Sequence, residues 1–156
     1  KKYREIRFLD DQSTILEIGK KTVGIFGTTG SLEKPTAWQL ANIPNIERTF
    51  QQRIDLADRQ LEKLNVNFRI LLMHYAPTYK TLEGENPNFY SSLGSNVYEN
   101  VIIKRKPALV IHGHSHKGTR MAWVDSVPVV NVSFPVNQGI VVIDTEKVKA
   151  GLSKFI

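Results

Sequence analysis

The sequence predicts an α/β fold, layered as an α+β sandwich, and three observations lead to it. Two short apolar runs, Ile70-Leu71-Leu72-Met73 and Ala108-Leu109-Val110-Ile111, suit strands covered on both faces. Between Asn45 and Leu64 the apolar residues recur with a helical period. The 156 residues, 41% hydrophobic and 23% charged, have the balance of a globular chain with a real core, which argues against disorder or low complexity. One domain over residues 1–156 is expected, without internal repeat or linker.

Taken in order, the opening third alternates apolar and polar residues in three bursts: Ile6-Arg7-Phe8-Leu9, Thr14-Ile15-Leu16-Glu17-Ile18 and Thr22-Val23-Gly24-Ile25-Phe26. Asp10-Asp11 and Gly19-Lys20-Lys21 separate them as turn material, so the region reads as a meander of strands. An irregular loop follows from Gly27 through Pro35. Ile46, Phe50, Ile54, Ala57, Leu61 and Leu64 then form one face of an amphipathic helix, and the mixed charges opposite them read as a solvated surface. Residues 68–73 are the first buried strand, ending at His74-Tyr75-Ala76-Pro77. A loop rich in Gly, Asn, Pro and Ser runs to Gly94. Asn96 and Glu99 have the spacing of a helix cap ahead of Val97, Val101 and Ile102, and Pro107 ends that segment. Residues 108–111 are the second buried strand, 127–132 and 139–143 two more, and a basic tail from Glu146 reads as a terminal helix.

Composition narrows the chemistry. With no cysteine, disulfides, thiolate metal sites and cysteine nucleophiles are excluded, so any metal must use His, carboxylate or amide ligands. The net charge of +6 favours anionic partners without identifying them. No apolar run approaches the roughly 20 residues of a membrane helix, so no membrane partner is expected. Lys1-Lys2-Tyr3-Arg4-Glu5-Ile6 has no apolar signal core behind its charges, and the chain reads as a cytoplasmic piece of something longer.

All four histidines fall in two places: His74, and the run His112-Gly113-His114-Ser115-His116. Both lie just past the carboxyl end of a predicted buried strand, where open α/β sheets put their ligand sites. Neutral imidazole is a common metal ligand, and histidines one residue apart can project toward the same region. His114 and His116 are therefore read as ligands of a closely spaced metal pair, with His74 arriving from the neighbouring strand end. Gly113 admits close backbone approach. His112, on the other side of an alternating chain, is read as structural or as a support for the ligands.

A strand ending in His-Tyr-Ala-Pro (74–77) followed by one ending in Gly-His-Ser-His (113–116) resembles the second half of a calcineurin-like metallophosphoesterase. The family's Gly-His-x-His signature is matched at every fixed position, and His74 matches its preceding strand-terminal histidine. The resemblance spans roughly Thr14 to Thr145. It implies a two-sheet core flanked by helices, incomplete at its N-terminus, and a site with two divalent ions. It implies further that His74 and His114 bind one ion and His116 the other. Histidine and carboxylate ligands accept Mn, Fe, Zn, Co or Ni. The activity implied is metal-assisted hydrolysis of a phosphomonoester or phosphodiester, without a covalent nucleophile.

The family's first-half motifs, Asp-x-His, Gly-Asp-x-x-Asp and Gly-Asn-His-Asp or Glu, do not occur in this sequence. The nearest acidic pair, Asp10-Asp11, lacks the glycine and the spacing, and no histidine precedes His74. A bridging carboxylate and a histidine proton donor are therefore expected in an upstream half. Without them the chain should hold metal weakly and be inactive by itself. Competing readings are a non-catalytic scaffold, as in a membrane-coat subunit that resembles these phosphoesterases, and a nuclease of the same family.

Lys117 and Arg120 directly follow the ligand pair and are read as binding an anionic substrate. Gly24-Ile25-Phe26-Gly27-Thr28-Thr29-Gly30 has neither dinucleotide nor P-loop spacing and reads as a strand-to-loop turn. The loop from Tyr79 to Gly94 is read either as shaping substrate specificity or as a mobile connection. Charge and aromatic residues do not interleave, so nucleic acid is expected only as a substrate. The sequon Asn131-Val132-Ser133 lies in an apolar strand pattern and is discounted.

Overall fold

A computed structural model of the chain describes residues 6–145, in which six strands form one mixed sheet flanked by helices. The strands are β1 (Gln12–Ile18), β2 (Lys21–Thr28), β3 (Phe68–Met73), β4 (Leu109–His112), β5 (Met121–Val124) and β6 (Val127–Asn131), in the order β1-β2-β3-β4-β6-β5. The inner pairs β2·β3, β3·β4 and β4·β6 are parallel, whereas β1 and β5 close the two edges in antiparallel pairs. This is the expected α/β class. The tail from Glu146, expected as a helix, lies outside the described residues.

Alternation divides each strand between two environments. Phe26, Leu71, Met73, Val110, Val124, Val127 and Val129 pack on one face in the main core. Helices α2 (Ile46–Lys63) and α3 (Val97–Arg105) cover that face with Ala57, Leu61, Tyr98 and Ile102, all fully buried. Leu61 and Ile102 each contribute about 1.5–3 kcal/mol by leaving water. Glu47 in the first turn of α2 and Lys63 in the last complement the helix dipole.

The opposite face carries Phe68, Leu109 and Val130, packed by Val141 and Ile143 from beyond the last strand. Cover there is incomplete: Leu72 is 38% exposed, so β3 is not enclosed on both faces as its apolar run predicts. The described residues hold one sheet where the resemblance implies two. No described helix is long and apolar enough to cross a membrane.

Several expected elements differ. Residues 6–9 are not a strand, since β1 pairs only with β2 and leaves them no ladder partner. Residues 139–143 alternate between packing and exposure, with Ile140 95% and Val142 82% exposed, but they too lack a ladder partner. Asn96 stands at the N-cap of α3 as expected, but its side chain makes no capping bond; its Oδ1 instead accepts the Tyr79 N–H at 2.7 Å, and Val97 is exposed while Tyr98 fills the core. Helix α1 (Ala37–Asn42) was unforeseen, although Thr36 and Gln39 form a reciprocal capping box at its start. Strand β5 and the four-residue helix α4 (Phe134–Asn137) were also unforeseen.

Candidate functional site

The carboxyl ends of the adjacent parallel strands β3 and β4 carry the histidines side by side. Leaving β3, the chain turns at His74, and the Gly113 N–H beyond β4 donates to the His74 carbonyl at 3.2 Å. This bond extends the pairing past the strand ends. It brings the His74 and His114 rings to 4.7 Å between centroids, inclined at 58°. Tyr75 completes the group, its ring edge-on to His114 at 5.0 Å, while Gln39 of α1 donates to the Tyr75 hydroxyl at 3.2 Å.

Electrostatics keep both rings in the form that binds metals. Partial desolvation lowers the pKa of His74, although the residue as a whole stays exposed, and desolvation together with the neighbouring His74 and His116 lowers that of His114. Neutral imidazoles with an available ring nitrogen are the result. The Ser92 backbone works against this shift at His114, but burial and the two neighbouring histidines outweigh it. His114 itself sits in the left-handed region at φ +66°, which is costly for a residue with a Cβ.

His116 is exposed two residues along the loop, near enough for its charge to lower the His114 pKa. No group of three or more His, Asp or Glu able to hold a metal occurs among the described residues. His74 and His114 are thus brought together, and His116 lies beside them rather than among them. Lys117 and Arg120 are exposed on the same loop. His112 points the other way, fully buried, its Nδ1–H directed to the Gly113 carbonyl at 2.8 Å and burial lowering its pKa to about 4. It belongs to the core.

The histidine loop is clamped by residues the sequence did not single out. Asn131 Nδ2 and Ser133 Oγ both donate to the Ser115 carbonyl, and the Val132 N–H donates to His112 O at 2.8 Å. From the other side, Glu85 Oε1 accepts from Ser115 Oγ at 3.0 Å, His116 N at 2.7 Å and Lys117 N at 2.8 Å. Burial alone would raise the Glu85 pKa, but these donors outweigh it and hold the carboxyl below its ordinary value. In the sequence Asn131 stands out only as part of the strand pattern 127–132 and as a discounted sequon, and Glu85 lies in a loop with no period to mark it. Both contacts depend on tertiary approach.

Of the acidic pair Asp10-Asp11, Asp11 is committed to structural contacts, while Asp10 is exposed and accepts from Thr29 Oγ1 at 3.4 Å. Asp11 Oδ2 pairs with Arg53 Nε at 3.1 Å and its Oδ1 accepts from Thr28 Oγ1, tying the end of β2 to α2. The loop between Tyr79 and Gly94 is built from two 3-10 turns, Tyr79–Leu82 and Pro87–Ser92. Backbone bonds fasten it to neighbouring segments, among them Ala76 N to Leu93 O, Ser95 N to Ala76 O and Lys34 N to Ser91 O.

No family model matches the chain, and no curated protein matches it. Among solved structures it is similar to a candidate 5'-nucleotidase from Staphylococcus aureus, determined in complex with alpha-ketoglutarate. The TM-score is 0.50 at 16% identity, over 76% of this chain and 23% of that one. GAP50, the anchor in the inner membrane complex of Plasmodium, aligns at TM-score 0.47 and 13% identity, over 80% of this chain and 36% of its own. The chain therefore spans about a quarter of the first and about a third of the second, and the likeness to the first is one of fold.

Proposed function

We propose that this chain is the C-terminal part of a metal-dependent phosphoesterase of the calcineurin-like type, acting on a phosphomonoester or phosphodiester. The observation that carries the reading is the His74–His114 pair, two neutral imidazoles 4.7 Å apart at the carboxyl ends of neighbouring parallel strands. Their donor chemistry fits two positions around a divalent ion such as Mn, Fe, Zn, Co or Ni. With no carboxylate among them, the remaining ligands must come from another segment or chain. His116, next in the loop, is the ligand assigned to a second ion. When bound, such ions polarise a phosphoryl oxygen and lower the pKa of a bound water.

The chain's own residues favour the neutral imidazoles through desolvation and, at His114, through the neighbouring histidines, and supply positive charge beside them. Lys117 and Arg120 are the groups proposed to attract the phosphate. The test is hydrolysis of a small phosphomonoester, a small diester and single-stranded DNA by the full-length protein with Mn2+, comparing the parent with His74→Ala, His114→Ala and His116→Ala. Loss of about 100-fold or more in each folded variant is expected. Retained activity in all three overturns the reading, and a parent inactive on every substrate favours a scaffold. The preferred substrate separates phosphatase, phosphodiesterase and nuclease.

A further inference from the structure

The segment around Glu85 and the histidine loop lie against one another along their length. A Cβ on Gly84, whose φ is +107°, would stand 2.3 Å from the Lys117 carbonyl oxygen. A Cβ on Gly118 would stand 2.1 Å from the Thr81 carbonyl oxygen. Thr119 Oγ1 donates to Lys80 O at 3.2 Å, and Ser115 Oγ both donates to Glu85 and accepts from the Gly118 N–H at 3.1 Å. Within this contact, three donors converge on the single oxygen Glu85 Oε1, two of them successive backbone N–H groups. That is the geometry with which backbone amides gather an anion. Here the anion is built into the chain.

The geometry points to Glu85 as a positioning residue: its carboxylate fixes the backbone of residues 115–117, so that His114 and His116 are held ready for a metal. The inference rests on the phosphoesterase reading for its purpose but not for its structural part. Charge-assisted hydrogen bonds are roughly twice as strong as neutral ones, so the carboxylate holds the loop better than an amide would. Glu85 also has the position to act without being a ligand, since its bonded oxygen faces amides and a hydroxyl.

The experiment compares the full-length protein with Glu85→Gln, Glu85→Ala and, as a charge control in the same loop, Glu83→Gln. Hydrogen exchange of the His116 and Lys117 amides is followed without metal, and imidazole 15N resonances are followed during titration with Zn2+ alone. We expect Glu85→Ala to speed exchange at both amides at least tenfold and to weaken zinc binding by about 10–100-fold. Glu85→Gln should fall between it and the parent, and Glu83→Gln should match the parent. Unchanged exchange in Glu85→Ala overturns the inference, as does faster exchange with unchanged zinc affinity. If the alanine variant does not fold, Glu85→Gln decides by the same two readouts. A parent whose His74 and His114 resonances ignore zinc overturns the phosphoesterase reading instead, while the exchange arm still decides whether Glu85 orders the loop.

Discussion

His74 and His114 stand with their rings 4.7 Å apart because the Gly113 N–H donates to the His74 carbonyl, one hydrogen bond beyond the last paired residues of β3 and β4. The pair is therefore set by backbone, and either side chain can be removed without disturbing the strands. His74 is exposed, so His74→Ala is expected to change folding stability by no more than about 0.5 kcal/mol. Zinc affinity should nevertheless fall at least about tenfold. Calorimetric titration together with urea unfolding separates the two effects. A large loss of stability would show that the imidazole is a structural group.

His114 gives a second handle, because its φ of +66° places it in the left-handed region. A residue with a Cβ is strained there by roughly 1–2 kcal/mol, and glycine escapes that strain while adding roughly 0.4–1 kcal/mol of unfolded-state freedom. The difference predicts that His114→Gly is more stable than His114→Ala by about 0.5–1 kcal/mol, although both lack the ligand. Matched urea unfolding curves measure it. Equal stabilities would mean that the loop relaxes and stores nothing.

The strand ends that make the pair were legible in the sequence, since β3 and β4 are both short apolar runs that stop at a histidine. The long helix was legible too, from the spacing of Ile46, Phe50, Ala57 and Leu61, all of which are buried. Residues 6–9 and 139–143 misled because alternation reports which side chains are buried, and a strand also requires a neighbour to bond with. Helix α1 and β5 are too short for periodicity to reveal, although the Thr36–Gln39 box was there to be read. The contacts of Glu85, Asn131 and Ser133 were beyond reach. Each joins the histidine loop to a remote segment, and no local pattern encodes that meeting.

Asp58 joins α2 to α3: Arg105 donates to both of its oxygens, at 2.5 and 2.9 Å, and Lys104 Nζ lies at 2.9 Å. The Arg105 hydrogen bond is the largest influence, and with Lys104 it outweighs desolvation and holds the carboxyl well below its ordinary pKa of 3.8. The folded-state pKa is therefore depressed. The clasp contributes fully above the unfolded value and is lost as pH falls below about 4 toward the folded one. Asp58→Asn should flatten that part of the stability profile. Because the groups are partly solvated, a double-mutant cycle with Arg105→Gln is expected to give a coupling of about 1 kcal/mol. Profiles of parent and Asp58→Asn that fall in parallel would assign the acid sensitivity elsewhere.

Lys117 and Arg120 test whether positive charge beside the histidines serves the substrate. Both side chains are exposed, so each acts through water, and the attraction is screened beyond about 8 Å at physiological ionic strength. An exposed charge pair contributes about 0.2–1 kcal/mol, which sets the scale at up to about fivefold in KM. Lys117→Ala and Arg120→Ala are each expected to raise KM within that range and to leave kcat nearly unchanged. The difference from the parent should shrink as salt is added, because screening removes the same interaction that the substitution removes. Lys117 also donates its backbone N–H to Glu85, a bond that the alanine substitution preserves, so a change in KM would report the ammonium group alone. A fall in kcat with KM unchanged would move the residue from substrate attraction to transition-state contact. Salt-independent kinetics in both variants would remove these two residues from the site.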